Sequence, residues 1–356
     1  MKCKLCETND LDNTGAHFIT ESIARSAISE RGSKGRDNEI FYSFSVSTLG
    51  KSFIGRNINE DKVKEIKGRV LTQEELVGNE NMLIDFNLVC RSCENKFNPI
   101  ETHFIAEILR KKIETNINEK EIELDEYDYR TTLLFLIINL WRTSASEKTH
   151  YKLNGIIEEE LRTIINQIQR KPIDETLSEI DFSSGILSSI KFATYYLVHT
   201  DGDKTENQIC LSSDTVPHTF IINQVVFLIF YEYPITYRRD KVLSEITSKS
   251  KINKTIVAQP DSMIVRCVNN KKRLKTLNII AKEQVKALSK KVNYIIKKTH
   301  LSIYGFEAHR DIYVATKNEI SKLPKEDLNQ HSINAITAKY LLLSGEYYKK
   351  YGRPYK

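Results

Sequence analysis

An α+β fold in which helix predominates is predicted by three features of the sequence. Two Cys-x-x-Cys pairs, Cys3 with Cys6 and Cys90 with Cys93, stand in its first third. Apolar residues recur at helical spacing through much of the middle and the end of the chain. A few runs rich in β-branched and aromatic residues, bounded by Gly, Asp, Pro and Asn, interrupt them and read as a small sheet.

The cysteine pairs come first. Two residues between cysteines let both thiolates of a tight turn reach one metal, and two such turns complete a tetrahedral four-cysteine zinc site. Residues 1–115 therefore read as a zinc module, with Cys3, Cys6, Cys90 and Cys93 as ligands and residues 30–80 as an insertion. Inside the insertion, Ile40-Phe41-Tyr42-Ser43-Phe44 is strand-like and no metal-ligand spacing occurs. Asn98 followed by Pro99 reads as an N-cap with proline at the first helical position, opening a helix over 100–113. Glu101, three residues after that cap, is then explained by a capping interaction.

Residues 116–356 form the second predicted region. Its acidic start, 116–127, reads as a connector, and Tyr127–Ser144 as a buried helix in which Trp141 is a core anchor. Lys152–Arg170 places Ile156, Ile157, Leu161, Ile164, Ile165 and Ile168 on one helical face. Ser189–Val198, Phe220–Tyr231 and Thr255–Val268 are the predicted strands, and 274–298 and 332–350 the closing helices. Cys210 and Cys267, alone in apolar surroundings, read as small buried hydrophobes. Six histidines, His150, His199, His218, His300, His309 and His331, share no ligand spacing.

Composition narrows the class. Hydrophobic residues are 40% and charged residues 28% of the 356, which excludes fibrous and disordered types. The densest apolar run, Leu133–Trp141, is far too short to span a bilayer, so no membrane partner is expected. The start Met-Lys-Cys lacks a signal-peptide core, and the paired thiols suit a reducing compartment, so a cytoplasmic location is expected. The net charge of +6 is mild, but ten Lys and Arg residues fall between Lys271 and Lys298 against the single acid Glu283. That run could follow a phosphate backbone or be the solvated face of an amphipathic helix.

The run Ala16-His17-Phe18-Ile19 after the first pair, and Cys90-Arg91-Ser92-Cys93-Glu94-Asn95 at the second, resemble the HNH endonucleases that carry a four-cysteine zinc site. The resemblance covers residues 3–105 and implies a treble clef, a ββα-metal-like module followed here by a mainly helical region with a small β-sheet. It implies a structural Zn²⁺, His17 as general base on a phosphodiester of DNA or RNA, and Mg²⁺ or Mn²⁺ as catalytic ion near Glu94, with Asn95 a further site residue. The layout of a small nuclease module on a large region is similar to anti-phage zinc-finger nuclease effectors. It implies a carboxy-terminal region that senses a protein trigger, such as a phage protein, and forms a homo-oligomer. The alternative from another class is a zinc-stabilised nucleic-acid-binding or protein-binding sensor without catalysis.

Overall fold

The structure, a computed structural model, describes residues 1–12, 15–28, 38–45, 49–77, 81, 83–149, 151–199, 209–212, 217–231, 246, 252, 256, 259–320 and 330–352. The basic tail beyond 352, His150 and residues 30–37, 46–48 and 78–80 of the insertion lie outside them. The chain is mixed α+β, with its cysteine cluster at the amino terminus. It divides into two compact units, Met1–Ile28 with Asn81–Ile280, and Ser29–Glu80 with Ala281–Lys356. The stretch predicted as an insertion thus leaves the cysteine-bearing unit almost whole. No division falls near residue 115, the boundary read from the sequence.

The first unit begins with β1 (Ala16–His17) and α1 (Glu21–Ile28), and the chain returns to it at β4 (Ile84–Asp85), which pairs antiparallel with β1. Helix α4 (Arg91–His103) then runs without a break into a π-helical segment, Phe104–Ile113, and a 3₁₀ turn, Glu114–Asn116. The predicted cap at Asn98 is therefore corrected. Cys90 occupies the N-cap position, and Pro99 lies inside the helix. Proline has no N–H to give there, and the helix continues because Phe97, Ile100, Phe104, Ile108 and Ile113 bury one continuous apolar face.

The predicted connector is also corrected. It contains β5 (Glu121–Asp125), whose alternating exposed and buried residues mark an edge strand. Asp125 ends the strand and caps α5 (Glu126–Ala145), its carboxylate accepting the Asp128 N–H at 2.9 Å. Helix α5 is buried over nearly its whole length, Trp141 included, and packs against α4, the π-helical segment, β5 and the last strand of the sheet. Phe104 stacks on Phe135 at 4.0 Å between centroids, and both meet Phe227 of the sheet. The cysteine module and the sheet share this core, which is why the chain does not divide between them. Helices α6 (Gly155–Gln167), α7 (Ile173–Glu179) and α8 (Gly185–Ser189) lead into the sheet. Although α5 is long, no helix among the described residues is long and apolar enough to cross a membrane.

Strands β6 (Lys191–Leu197), β7 (Ile209–Ser212), β8 (His218–Ile222), β9 (Val225–Phe230) and β10 (Ser262–Val268) join β5 in one six-stranded sheet of order β5-β10-β6-β9-β8-β7. Only the β10–β6 pair is parallel. The run Phe220–Tyr231, predicted as one strand, is a hairpin turned at Asn223 and Gln224, with Asn223 at φ +56°. Asparagine tolerates that left-handed conformation, and the apolar residues on both sides hide the turn from a periodicity count. Cys210 and Cys267 are half-buried rather than buried.

The second unit carries the hairpin β2 (Ile40–Ser45) and β3 (Leu49–Ile54), then α2 (Glu60–Lys67) and α3 (Gln73–Val77). Asn59 caps α2 by accepting the Asp61 N–H at 2.8 Å, and Gly68 at φ +76° ends it. The 35-residue helix α9 (Asn270–Tyr304) starts in the first unit and ends in the second, followed by α10 (Arg310–Ile320) and α11 (Gln330–Tyr351). Ile296, Ile312, Tyr340 and Tyr348 form the core of these helices. His300 is buried there, its two ring nitrogens hydrogen-bonded to the Tyr340 and Tyr348 hydroxyls. It is a packing residue, as expected for a histidine without ligand spacing.

Candidate functional site

The four cysteines predicted as ligands come together. Their sulfurs all lie within 4.8 Å of one another. The first pair sits in a tight amino-terminal turn, in which the Cys3 N–H donates to Asn9 O and the Glu7 N–H to Cys3 O, each at 2.9 Å. The second pair opens α4, where the Cys90 carbonyl accepts the first helical bond, from the Glu94 N–H at 3.0 Å. The Lys4 N–H to Leu88 O bond, 2.9 Å, joins the two turns. Tetrahedral zinc with four sulfurs at about 2.3 Å needs sulfur–sulfur edges of about 3.8 Å, so the donor set fits a metal such as zinc with little movement.

Proton chemistry points the same way. Hydrogen bonding from the Cys93 thiol holds Cys3 down to about 4, and the same hydrogen bond, with burial and the Cys3 charge, pushes Cys93 far up. Four sulfurs this close cannot all ionise without a cation among them.

A second cluster, polar and partly buried, lies beside the cysteine turns. β1 delivers His17, and α1 continues with Glu21 and Arg25, an ion pair one helical turn apart. Helix α4 contributes Glu94 and Glu101, seven residues and two turns apart on one face. From α5 comes Arg142, whose side chain is 1% exposed. Its guanidinium spans both carboxylates, reaching Glu94 Oε1 at 3.4 Å and pairing closely with Glu101. It also donates to the Thr20 hydroxyl oxygen at 3.1 Å and lies over the Phe97 ring. Thr20 completes the frame, donating its hydroxyl to Glu101 at 2.8 Å and its N–H to Asn139 Oδ1 at 2.8 Å.

The electrostatics of this cluster are unusual in two places. Burial holds His17 below its ordinary value of 6.5, against Glu21, which raises it, and with Arg142 and Arg25, which lower it further. Its imidazole is therefore neutral at pH 7. Burial pushes Glu94 up to about 7 although Arg142 pulls it down, and Glu94 Oε2 is buried without a hydrogen-bond partner. A neutral imidazole and a raised carboxyl that share Arg142, Glu101 and Glu21 as neighbours have the makings of a proton-transfer site.

Comparison of the chain with protein-family models, with curated proteins and with solved structures finds no match. The reading of the site rests on its own residues.

Of the three residues predicted around the chemistry, His17 and Glu94 join the same cluster. Asn95 lies next along α4, about 100° round the helix from Glu94, and no bond among the described residues ties it in. Glu101 is corrected from a capping residue to a partner of Arg142 and Thr20, because α4 begins at Arg91. Glu21, Arg25, Asn139 and Arg142 escaped the sequence reading. Two signals could have found them. Glu21 lies four residues after His17, at the start of α1, and Asn139, Arg142 and Thr143 form a polar stripe at i, i+3 and i+4 in an otherwise apolar helix.

Among the described residues the cysteines alone bring three or more donors together, and Arg142 stands between Glu94 and Glu101.

That buried guanidinium gives a stability prediction. Arg142→Met leaves Glu101 and Glu94 buried without their counter-charge and is expected to cost about 3–5 kcal/mol in urea denaturation. Adding Glu101→Gln should restore part of the loss. A cost near zero for Arg142→Met would mean that solvent already screens the cluster.

Proposed function

We propose that the chain is a nuclease, its cysteine module an HNH-like treble clef closed by one structural zinc ion and its chemistry carried by His17. The observation that carries this reading is the position of His17. It ends the strand that pairs with the strand just before the second cysteine turn, and it has Glu21, Glu101 and Arg142 as neighbours in common with Glu94 of the helix that turn opens. Four thiolates saturate the zinc, so that ion organises the module and offers substrate no position.

The chemistry available to these residues is general-base attack on a phosphodiester. Neutral His17 takes the proton from an incoming hydroxyl, either water or the 2′-hydroxyl of RNA, as its oxygen bonds to phosphorus. The bond to the leaving oxygen breaks, and that oxygen is protonated from solvent. Arg25, one-third exposed and paired with Glu21, is a partly exposed cation of the cluster that a phosphate would meet. Arg142, buried beneath, fixes Glu94 and Glu101 and acts as a positioning residue. No second metal ion is needed for these steps.

The test is incubation of zinc-loaded protein with end-labelled DNA and RNA, single- and double-stranded, with and without added Mg²⁺. Cleavage of a nucleic acid is expected without Mg²⁺. No cleavage of any substrate under either condition would overturn the reading. It would favour the sensor without catalysis, for which Arg142 neutralising both carboxylates is the supporting observation.

A further inference from the structure

The second unit carries an open groove of about 740 Å³ between the end of α9 and the start of α10, lined by Lys290, Asn293, Tyr294, Lys297, Ala308, Arg310, Tyr313 and Val314. Its size is that of a site for a small molecule or a short segment of polymer. Three cations converge on it, Lys290, Lys297 and Arg310, and all three are exposed. The acids described nearby are already engaged, Glu307 with Lys297 and Asp311 with His309. Between the cations stands Tyr294, 63% exposed, with Tyr313 on the facing helix. Its planar ring is open to a partner that can stack on it. Asn293 Oδ1 lines the same groove, buried and without a hydrogen-bond partner.

The groove also continues a line. Lys282, Lys286, Lys290, Tyr294 and Lys298 follow one another at four-residue spacing along α9, and all are exposed. Residues four apart advance about 6 Å and turn about 40°, so Lys286, Lys290 and Tyr294 share a face while Lys282 and Lys298 lie progressively round the helix. Positive charge repeated at that interval, with a planar ring in the series, suits a chain of phosphates carrying bases. An acidic peptide would use the charges but not the ring.

We propose that this groove binds single-stranded nucleic acid, its phosphates on Lys290, Lys297 and Arg310 and a base stacked on Tyr294. Backbone-tracking cations joined to a stacking platform are the general means of holding single strands without sequence preference. The surface lies on α9 and α10, and its role does not depend on the cleavage proposed for the His17 cluster.

The experiment measures fluorescence anisotropy of labelled oligo-U and oligo-dT, each of about 12 nucleotides, with the full chain carrying His17→Ala so that the probe stays intact. Micromolar or tighter binding is expected at low salt. The triple variant Lys290→Glu, Lys297→Glu, Arg310→Glu should weaken it more than tenfold and flatten the salt dependence by about two units of slope. Tyr294→Ala should weaken it fivefold or more. Glu307→Gln, which releases Lys297, should tighten it. All of these residues are exposed, so circular dichroism should show unchanged folding. Equal binding by the parent and the triple variant would overturn the proposal. So would poly-glutamate binding as tightly as the oligonucleotides with no effect of Tyr294→Ala, which would make the groove a dock for acidic protein. Strong probe binding by a chain that never cleaves nucleic acid would leave this site standing and remove only the catalytic reading.

Discussion

Replacing His17 with alanine is expected to lower the rate of nucleic-acid cleavage by about 10²–10⁴-fold, the usual contribution of a positioned general base. Zinc content and thermal transition should change little, because the cysteine turns and α4 make no hydrogen bond to the imidazole among the described contacts. His17→Gln keeps a hydrogen-bonding side chain of similar reach and should be as inactive, which separates proton transfer from packing.

The acidity of the imidazole gives a second readout on the same residue. Desolvation and the two arginines outweigh Glu21 and Glu101, so the folded-state pKa lies below 6.5. Burial of neutral imidazole then contributes stability that is fully present above pH 6.5 and is lost as pH falls through the folded value. Titration of the His17 ring signals by NMR should show a midpoint below 6.5. A midpoint above it, or full activity in His17→Ala, would contradict the assignment.

The second large effect falls on the cysteines. Cys93→Ser should remove zinc and unfold the cysteine module. Apparent binding energies of structural zinc, about 10–16 kcal/mol, match or exceed the whole stability of an ordinary domain. The loss should reach His17, because β1 is only two residues long and pairs only with β4, which leads into the second cysteine turn. Hydrogen exchange at Phe18, whose N–H bonds to Leu83 O at 3.1 Å, should accelerate to the rate of an open chain. Cys267→Ser, outside the cluster, should keep its zinc. Retention of a full zinc complement by Cys93→Ser would show that the sulfur is no ligand.

How much of this was legible in the residues differs from element to element. The cysteine cluster was readable because metal-ligand spacing is a local signal, and four copies of one residue type in two pairs leave little ambiguity. Helices α5 and α6 were readable from their apolar residues. Strand β5 was hidden because only Ile122 and Leu124 of its five residues face the core and its neighbours are acidic. The start of α4 was misplaced because Asn98-Pro99 imitates a cap, whereas the helix is anchored earlier, at the cysteine turn.

The chemical cluster was legible only in part for a different reason. Arg142 and Asn139 stand more than a hundred residues from His17, and tertiary packing alone brings them to Thr20 and Glu101. A polar stripe in a buried helix announces that partners exist but does not name them. The resemblance to HNH enzymes directed attention to Glu94 and a divalent ion, while the guanidinium that spans Glu94 and Glu101 came from outside the matching segment.

The central claim is that one zinc ion on four sulfurs holds the module that presents His17. X-ray absorption at the zinc edge, on purified full-length chain with its metal content measured, tests this most directly. One zinc per chain with a shell of four sulfurs at about 2.3 Å is predicted. Absence of zinc, or a shell containing nitrogen or oxygen in place of any of the sulfurs of Cys3, Cys6, Cys90 and Cys93, would contradict it.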